Sequence, residues 1–463
     1  MSRWPGRRRP VILYQPRDEG VRMPLGLLAL GSALQDEHVV IVDGRLELAP
    51  EARVAELARD ADCLGVTVRS GRPLRDAVRV SAAARAANPR LRVIWGGPHA
   101  TLMPDQCLAS EVVDACVVGA GEEAFGACLA AVRAGHSFEG AAGVAVRAWA
   151  LPKPLSPPAP EATPPARYAL LDLERYFDVR GGRRLDFCSS RGRLTSGGGA
   201  WWALPPERVG VEVGELAERY HPLTVLFQDR AFFAEPERAA GIAGALQGLH
   251  PRVRWEVGAR AADVLVMGED GMGPVRESGC VRVHVLVPPG ALLLGRNRAA
   301  VLETGELLRR IGLGGRFVLE VDPPRAGHAT LGAALSLARA LVKIDSRFET
   351  PLERRRLYPP EKEPEGSAVP SNLEGWAARE EAPWPDQRAE RRLARRVFYL
   401  GQAQGPPGRR LGQRLVRVLA RGRMRVGLFG LDLERAVVET SALLRTGRVR
   451  PRVPEGHAGP PGR

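Results

Sequence analysis

The residues best suited to chemistry fall in five short stretches of the first third of the chain. They are Pro24-Leu25-Gly26, Asp43, Thr67-Val68-Arg69-Ser70-Gly71, Gly96-Gly97-Pro98-His99-Ala100-Thr101 and Gly119-Ala120-Gly121-Glu122-Glu123. Glycine lets a ligand approach the backbone closely, so the pattern points to binding. It does not point to bond-making, because no nucleophile stands with a base. Each polar residue also has a plainer role. His99 suits a turn bonded to backbone, Glu122 suits the first turn of a helix, where the dipole favours a carboxylate, and Asp43 suits a turn cap. The six cysteines, at 63, 107, 116, 128, 188 and 280, are scattered and include no C-x-x-C pair. Neither a disulfide framework nor a zinc site is indicated.

These stretches need strand ends to hold them. Residues 10–147 alternate apolar strands (PVILYQP, HVVIVDG, DCLGVTV, LRVIWGG, VDACVVG) with helical patterns such as PLGLLALGSALQDE, DAVRVSAAARAANP and EEAFGACLAAVRAG. Such alternation predicts an α/β domain built on a doubly wound parallel sheet. Ligands of these sheets bind outside the C-terminal strand ends, where the glycines lie. A flavodoxin-like or nucleotide-binding domain fits as well. LPKPLSPPAPEATPPAR, at 151–167, reads as a stiff, extended linker. The strand–helix pattern then resumes through LDFCS, LTVLFQD, VRWEVGAR, VRVHVLV and GRFVLEV, which suggests a partial (β/α) barrel. Its chemistry is expected in the loops after Ser189, Gln228, Ala259 and Leu286. The expected division is 1–150, a linker and lead-in at 151–180, a barrel at 181–345, and a basic C-terminal extension at 346–463. RAERRLARRVFYLGQ and GQRLVRVLARGRMRVGLFGLDLERAVVETSALLRTG in that extension have helical spacing.

Composition narrows the classes. The 463 residues allow two or three domains, and 44% of them are hydrophobic, ordinary for sizeable cores. No apolar run is long enough to span a membrane. The opening MSRWPGRRRP leads into a strand where a signal sequence would have an apolar core, so a cytoplasmic protein is expected. The net charge is +14, concentrated in arginines of the last quarter. No stacking aromatics interleave them, which argues for a solvated basic tail over a nucleic-acid site.

Taken together, "GGPHATLMPDQCL…VVDACVVGAGEEAF" and the loops before it resemble the cobalamin-binding domain that precedes many radical S-adenosylmethionine enzymes. The resemblance covers nearly all of 10–147. It implies that a corrinoid and its nucleotide tail pack on the strand ends, with Pro24, Gly26, Asp43, Thr67, Arg69, Gly71, Gly96, Gly97, His99, Gly119, Gly121 and Glu122 as candidate binding residues. Arg69 is a candidate to lie under the corrin. The Asp-x-His-x-x-Gly motif that would bring a lower axial histidine is absent; the first loop reads QPRDEGVRMP.

The second half resembles the radical domain of the same family, with departures. LDFCSSRGRLTSGGGAWWALPPE at 185–207 has the frame of the cluster loop, but the positions of the three cysteines of C-x3-C-x2-C are Arg193, Gly197 and Ala200. Cluster irons need thiolate sulfur, and Cys188 lies before the loop. LFQDRAFFAEPER keeps Asp229 and has Arg230 where a second acid is usual. A usual Gly-x-Glu-Ser-Gly-Ser contact with S-adenosylmethionine is replaced by Val287-Pro288-Pro289-Gly290. Asp229, Arg191 and Arg260 are therefore expected to pack strand ends and helix caps, with no catalytic residue and no metal site. The expected protein is a corrinoid-binding pseudoenzyme without cluster or S-adenosylmethionine, partnering an intact paralogue or a biosynthetic complex, and not a membrane or nucleic acid. The alternative is an active cobalamin-dependent methyltransferase whose cluster is non-standard or absent.

Overall fold

The computed structural model describes residues 9–18, 20–148, 151–192, 201–229, 231–288, 292, 295–321, 328–354, 370–381, 418–420 and 422–423. The first half is a sheet in the order β2-β1-β3-β4-β5-β6. Its strands are β1 (Val11–Gln15), β2 (Val39–Asp43), β3 (Cys63–Thr67), β4 (Arg92–Gly96), β5 (Ala115–Val117) and β6 (Val144–Ala145). All are parallel except β6, which runs antiparallel to β5. Val11, Ile12, Leu13 and Tyr14 are wholly buried, as expected of a parallel strand covered on both faces.

Helices α1 (Leu25–Ala33) and α6 (Glu122–Ala134) cover one face of this sheet. On the other lie α2 (Pro50–Ala58), α3 (Arg72–Ala87) and the short α4 (Pro98–Leu102) and α5 (Pro104–Leu108). Gly71 and Gly97 precede α3 and α4 at φ +101° and +89°, a region that L side chains rarely enter.

The second half begins with α7 (Leu173–Arg180), capped by the Asp172 carboxylate accepting from the Arg175 N–H. Six parallel strands follow in simple succession: β7 (Arg184–Phe187), β10 (Thr224–Phe227), β11 (Trp255–Ala259), β12 (Cys280–Val287), β13 (Gly314–Val321) and β14 (Leu352–Arg354). The short pair β8 (Ser190–Gly192) and β9 (Trp201–Ala203) forms an antiparallel ribbon beside them. Helices α8 (Pro206–Tyr220), α9 (Pro236–Gln247), α10 (Ala261–Glu277), α11 (Gly295–Ile311) and α12 (His328–Ile344) connect the strands. Consecutive βα units in one parallel sheet make a sector of a (β/α) barrel. Trp255, Val257, Val283, Val285, Phe317 and Leu319 face the helices in one core. By the alternation of a strand, Glu256, His284 and Arg316 face the other way.

Two segments make contacts that composition does not announce. The proline-rich stretch is anchored along its length. Leu155 bridges to Gly119 beside β5, the Trp202 indole donates to Pro158 O at 2.8 Å, and Arg208 bonds the carbonyls of Pro160 and Thr163. Proline-rich sequence removes donors but leaves carbonyls free to accept, and these neighbours use them. The second segment is α13 (Leu373–Glu381), which lies beyond β14 in sequence yet packs on α3 of the first half. The helical patterns expected at 388–402 and 412–447 lie outside the described residues, apart from helical residues at 418–420 and 422–423. No helix among the described residues is long and apolar enough to cross a membrane.

Candidate cofactor-binding site

Beyond the C-terminal ends of β3, β4 and β5 lies a cavity of about 260 Å³ between the first turns of α1 and α6. Its floor exists because side chains are missing. Gly96 occupies a position where neighbouring strands carry bulk, and a Cβ added there would stand 3.7 Å from Val117 Cβ, inside the open space, whereas the room left at Gly65 is taken by Phe125 and Leu13. Leu27, Leu30, Ile94, Val117 and Phe125 make the walls apolar. Thr67, Glu122 and Arg191 supply polar groups at the rim.

The strand-end loops are tied together. The Val68 N–H donates to Gly96 O at 2.8 Å, and the His99 N–H donates to Val68 O at 3.0 Å. The Gly119 N–H donates to Thr101 Oγ1 at 3.1 Å. Gly97 is fixed by this packing, since a Cβ there would come within 2.7 Å of Thr67 Oγ1 and 3.0 Å of Val68 O. At Gly119 a Cβ would overlap the Leu155 backbone.

Seven of the expected residues line this one cavity: Gly26, Thr67, Gly96, Gly97, Gly119, Gly121 and Glu122. The other five do not line it. Pro24 starts α1, accepting from the Leu28 N–H. Asp43 accepts from Arg45 Nη2 and from Tyr176 Oη, both at 2.6 Å. Arg69 is clasped by both carboxylate oxygens of Asp18, an ion pair that joins the loops after β1 and β3. Gly71 makes the turn into α3. His99 is fully buried, its Nδ1 2.9 Å from Ser70 Oγ, and burial lowers its pKa to about 4. It is thus a neutral side chain of the core near pH 7.

Arg191 was legible only as part of Ser-Ser-Arg-Gly. It comes from β8 in the second half, pairs with Glu122 at the cavity rim and stacks 4.7 Å over the Trp202 ring. Gly65 left a weaker sign, a glycine inside a strand, which often marks a close approach of backbone and ligand.

Arg193, Gly197, Ala200 and Arg230 lie outside the described residues, as do residues 289–291. Cys188 turns its thiol toward Ser190 O at 3.1 Å. Burial, with the Asp229 charge nearby, pushes that thiol up to about 12, the reverse of what a thiolate ligand needs. Asp229 is buried, accepting from the Ser189 N–H and hydroxyl and from the Ser190 hydroxyl, and burial raises its carboxyl pKa. Arg260 pairs with Asp263 where α10 begins. Among the described residues no group of three or more His, Cys, Asp or Glu side chains could hold a metal ion.

Comparison with known proteins places these features. Residues 19–129 match the family model of the B12 binding domain. An uncharacterised methyltransferase of Pyrococcus horikoshii is 28% identical over 281 residues, 56% of this chain; the match spans 60% of that relative's length. Among solved structures, the radical S-adenosylmethionine methyltransferase TsrM from Kitasatospora setae, with cobalamin and a 4Fe–4S cluster bound, superposes with a TM-score of 0.58 at 17% identity, over 76% of this chain and 73% of that one. TsrM with tryptophan and a S-adenosylmethionine analogue gives 0.62 at 14% identity, over 94% and 100% of the two chains. The cobalamin-dependent enzyme OxsB, with aqua-cobalamin and S-adenosylmethionine, gives 0.57 at 14% identity, over 74% and 53%. The fold is therefore that of the cobalamin-dependent radical S-adenosylmethionine enzymes. Within it, the region that matches the B12 binding domain lies in the first half.

Proposed function

We propose that this protein binds a cobalamin at the strand ends of its first domain and does not build a three-thiolate cluster of its own in the second. The observation that supports the first part is the glycine-floored apolar cavity inside the region that matches the B12 binding domain. A dry cavity of roughly 150 Å³ admits a benzene ring, so 260 Å³ suits a bicyclic aromatic base and part of its sugar. Gly26, Gly96 and Gly121 give the tail its room, while Leu27, Ile94 and Phe125 desolvate it. Thr67 and the Glu122–Arg191 pair meet its polar atoms at the rim. A bound corrinoid would supply a cobalt able to carry a methyl group. The residues of this chain would bind and orient it; the loop after β1 contains no histidine.

The second part is supported by the amino acids at 193, 197 and 200, none of which can bind iron, and by the inert setting of Cys188. In this reading the chain is a pseudoenzyme that completes or regulates an intact paralogue or a biosynthetic complex. A methyltransferase that receives its methyl group from another protein is the second reading, favoured by the methyltransferase from P. horikoshii and by TsrM among the similar proteins.

The test is a visible-spectrum titration of the full chain with hydroxocobalamin. Binding is expected for the wild type and for the exposed change Arg53→Ala, and loss of binding for Gly96→Leu, whose side chain fills the cavity. Absence of binding by the wild type at about 100 μM ligand, a Kd corresponding to only about −5.5 kcal/mol, would end the cobalamin reading. Anaerobic reconstitution with iron and sulfide that leaves about four irons per chain would end the second part. Methyl transfer from the methylcobalamin-loaded protein to an acceptor would favour the second reading.

A further inference from the structure

The loops after β3 and β4, which line the cavity, are packed from behind by a segment distant in sequence. Residues 370–381 follow the last strand of the second sheet, yet α13 lies against α3 and the loop after β4. Trp376 is 2% exposed, and its ring meets His99 edge to face with centroids 5.6 Å apart. Gln106 fixes the approach from both directions. Its Oε1 accepts from the Trp376 indole at 3.0 Å, and its Nε2 donates to Pro370 O at 3.0 Å. Arg75 and Glu374 pair at the outer edge. His99 Nε2 is buried without a hydrogen-bond partner, so the indole is what closes that side of the imidazole to water.

We propose that the helix Leu373–Glu381 is a positioning element for the corrin-facing loops, acting through the Trp376–His99 contact. The chain of contacts is continuous. Trp376 packs on His99, His99 bonds the Ser70 hydroxyl, and the His99 N–H bonds Val68 O. Val68 in turn bonds Gly96 O. One side of this unit carries Thr67, Gly96 and Gly97 toward the cavity; the other rests on the indole. A helix of nine residues is marginal by itself, so α13 holds its place through this packing. The second half of the chain thereby sets the rigidity of a site whose glycine floor is built in the first. That these loops face a corrin rests on the cobalamin reading above; that Trp376 orders them does not.

The experiment compares Trp376→Ala, Trp376→Phe and Glu374→Ala in the full chain. Amide hydrogen exchange is followed without ligand in peptides covering 67–71 and 96–101, and cobalamin affinity is titrated in parallel. Trp376→Ala is expected to speed exchange in both loops and to weaken cobalamin roughly tenfold, the scale of coupling through intervening residues. Trp376→Phe is expected to restore most of both, and Glu374→Ala to change neither beyond about twofold. If Trp376→Ala does not fold, Trp376→Leu takes its place, because it removes the ring contact with His99 while keeping an apolar side chain there. Unchanged exchange in both loops, in whichever of these two variants folds, overturns the proposal. Faster exchange in a protein whose wild type binds no cobalamin upholds the positioning role and breaks the functional reading instead. Faster exchange with unchanged affinity in a cobalamin-binding protein also overturns it, since the loops would then move without consequence for the ligand.

Discussion

The two parallel sheets use their interior positions in opposite ways. Around β3 to β5 the first sheet omits side chains, and the result is an apolar hollow. On the inner face of the second sheet the equivalent space is filled with charges that satisfy one another. Glu256 accepts from Arg184 and lies 2.7 Å from His284 Nε2. Arg282 and Arg316 meet Glu349 at 3.2 and 2.8 Å. Burial works against the Glu256 carboxylate, but the His284 hydrogen bond and the neighbouring guanidinium groups outweigh it and hold its pKa at about 2. Burial lowers the His284 pKa although Glu256 pulls the other way. The contrast teaches that a strand–helix fold does not by itself create a site: room appears where glycine replaces bulk, and closes where ions are paired.

The largest way to break this contrast is to uncouple the ion network. Glu256→Ala leaves Arg184 and His284 without their carboxylate, and removing one partner of a buried pair costs about 3–5 kcal/mol. Denaturant unfolding should show a loss of that size, while Glu256→Gln, which retains a hydrogen-bond acceptor, should lose less.

Next in size is the pair of glycines in the loop after β4. Gly97→Ala should cost about 1–3 kcal/mol, because φ of +89° is strained for alanine and Thr67 and Val68 leave its Cβ no room. Gly96→Ala should leave stability within about 1 kcal/mol, since its Cβ enters open space, and should weaken cobalamin instead. Thermal melts with and without cobalamin separate the two effects; equal destabilisation by both changes would erase the distinction between scaffold and floor glycines.

Acid should weaken both regions in sequence. His99 is lowered from 6.5 to about 4, so the unfolded chain takes up a proton first and stability falls as pH drops from about 6.5 toward 4. Glu256 is lowered from 4.5 to about 2; its contribution is present above pH 4.5 and is lost as pH falls from there toward 2. Unfolding midpoints measured across this range for the wild type, and for His99→Asn and Glu256→Gln, should lose the upper and lower parts of the dependence respectively.

The smallest expected effect is at the rim. Arg191→Ala removes a partly exposed ion pair and a stacking contact with Trp202, each worth about 1 kcal/mol or less. Stability should barely change, and any change in the rate at which cobalamin enters, read by stopped-flow absorbance, would identify the pair as a gate.

Much of this was readable beforehand, for physical reasons that differ from place to place. Continuous β-branched runs such as HVVIVDG identify buried parallel strands, and Gly96-Gly97 after one of them marks a strand end open to a ligand. What could not be read is contact between residues far apart in sequence. Nothing local to Glu122 points to Arg191, and nothing in LEGWAAREE says which surface Trp376 covers. Arg69 and His99 show the converse. Their residue types suggested ligand contact, but Asp18 and Trp376 engage them first. The linker's anchoring was not legible because composition reports the donors a proline lacks and is silent on the carbonyls it keeps.

That linker also bears on how this pair of domains can be rearranged. Because Leu155 adds a rung beside Gly119, a cut at the apparent joint near residue 150 would part that rung from its partner. A truncated first domain ending there would lose the cover over Gly119 and one wall of the cavity at Pro157. A workable cut, whether made by recombination in a genome or by a protease at the bench, has to fall further on, so that the first fragment leaves carrying about a dozen residues whose composition assigns them to neither side.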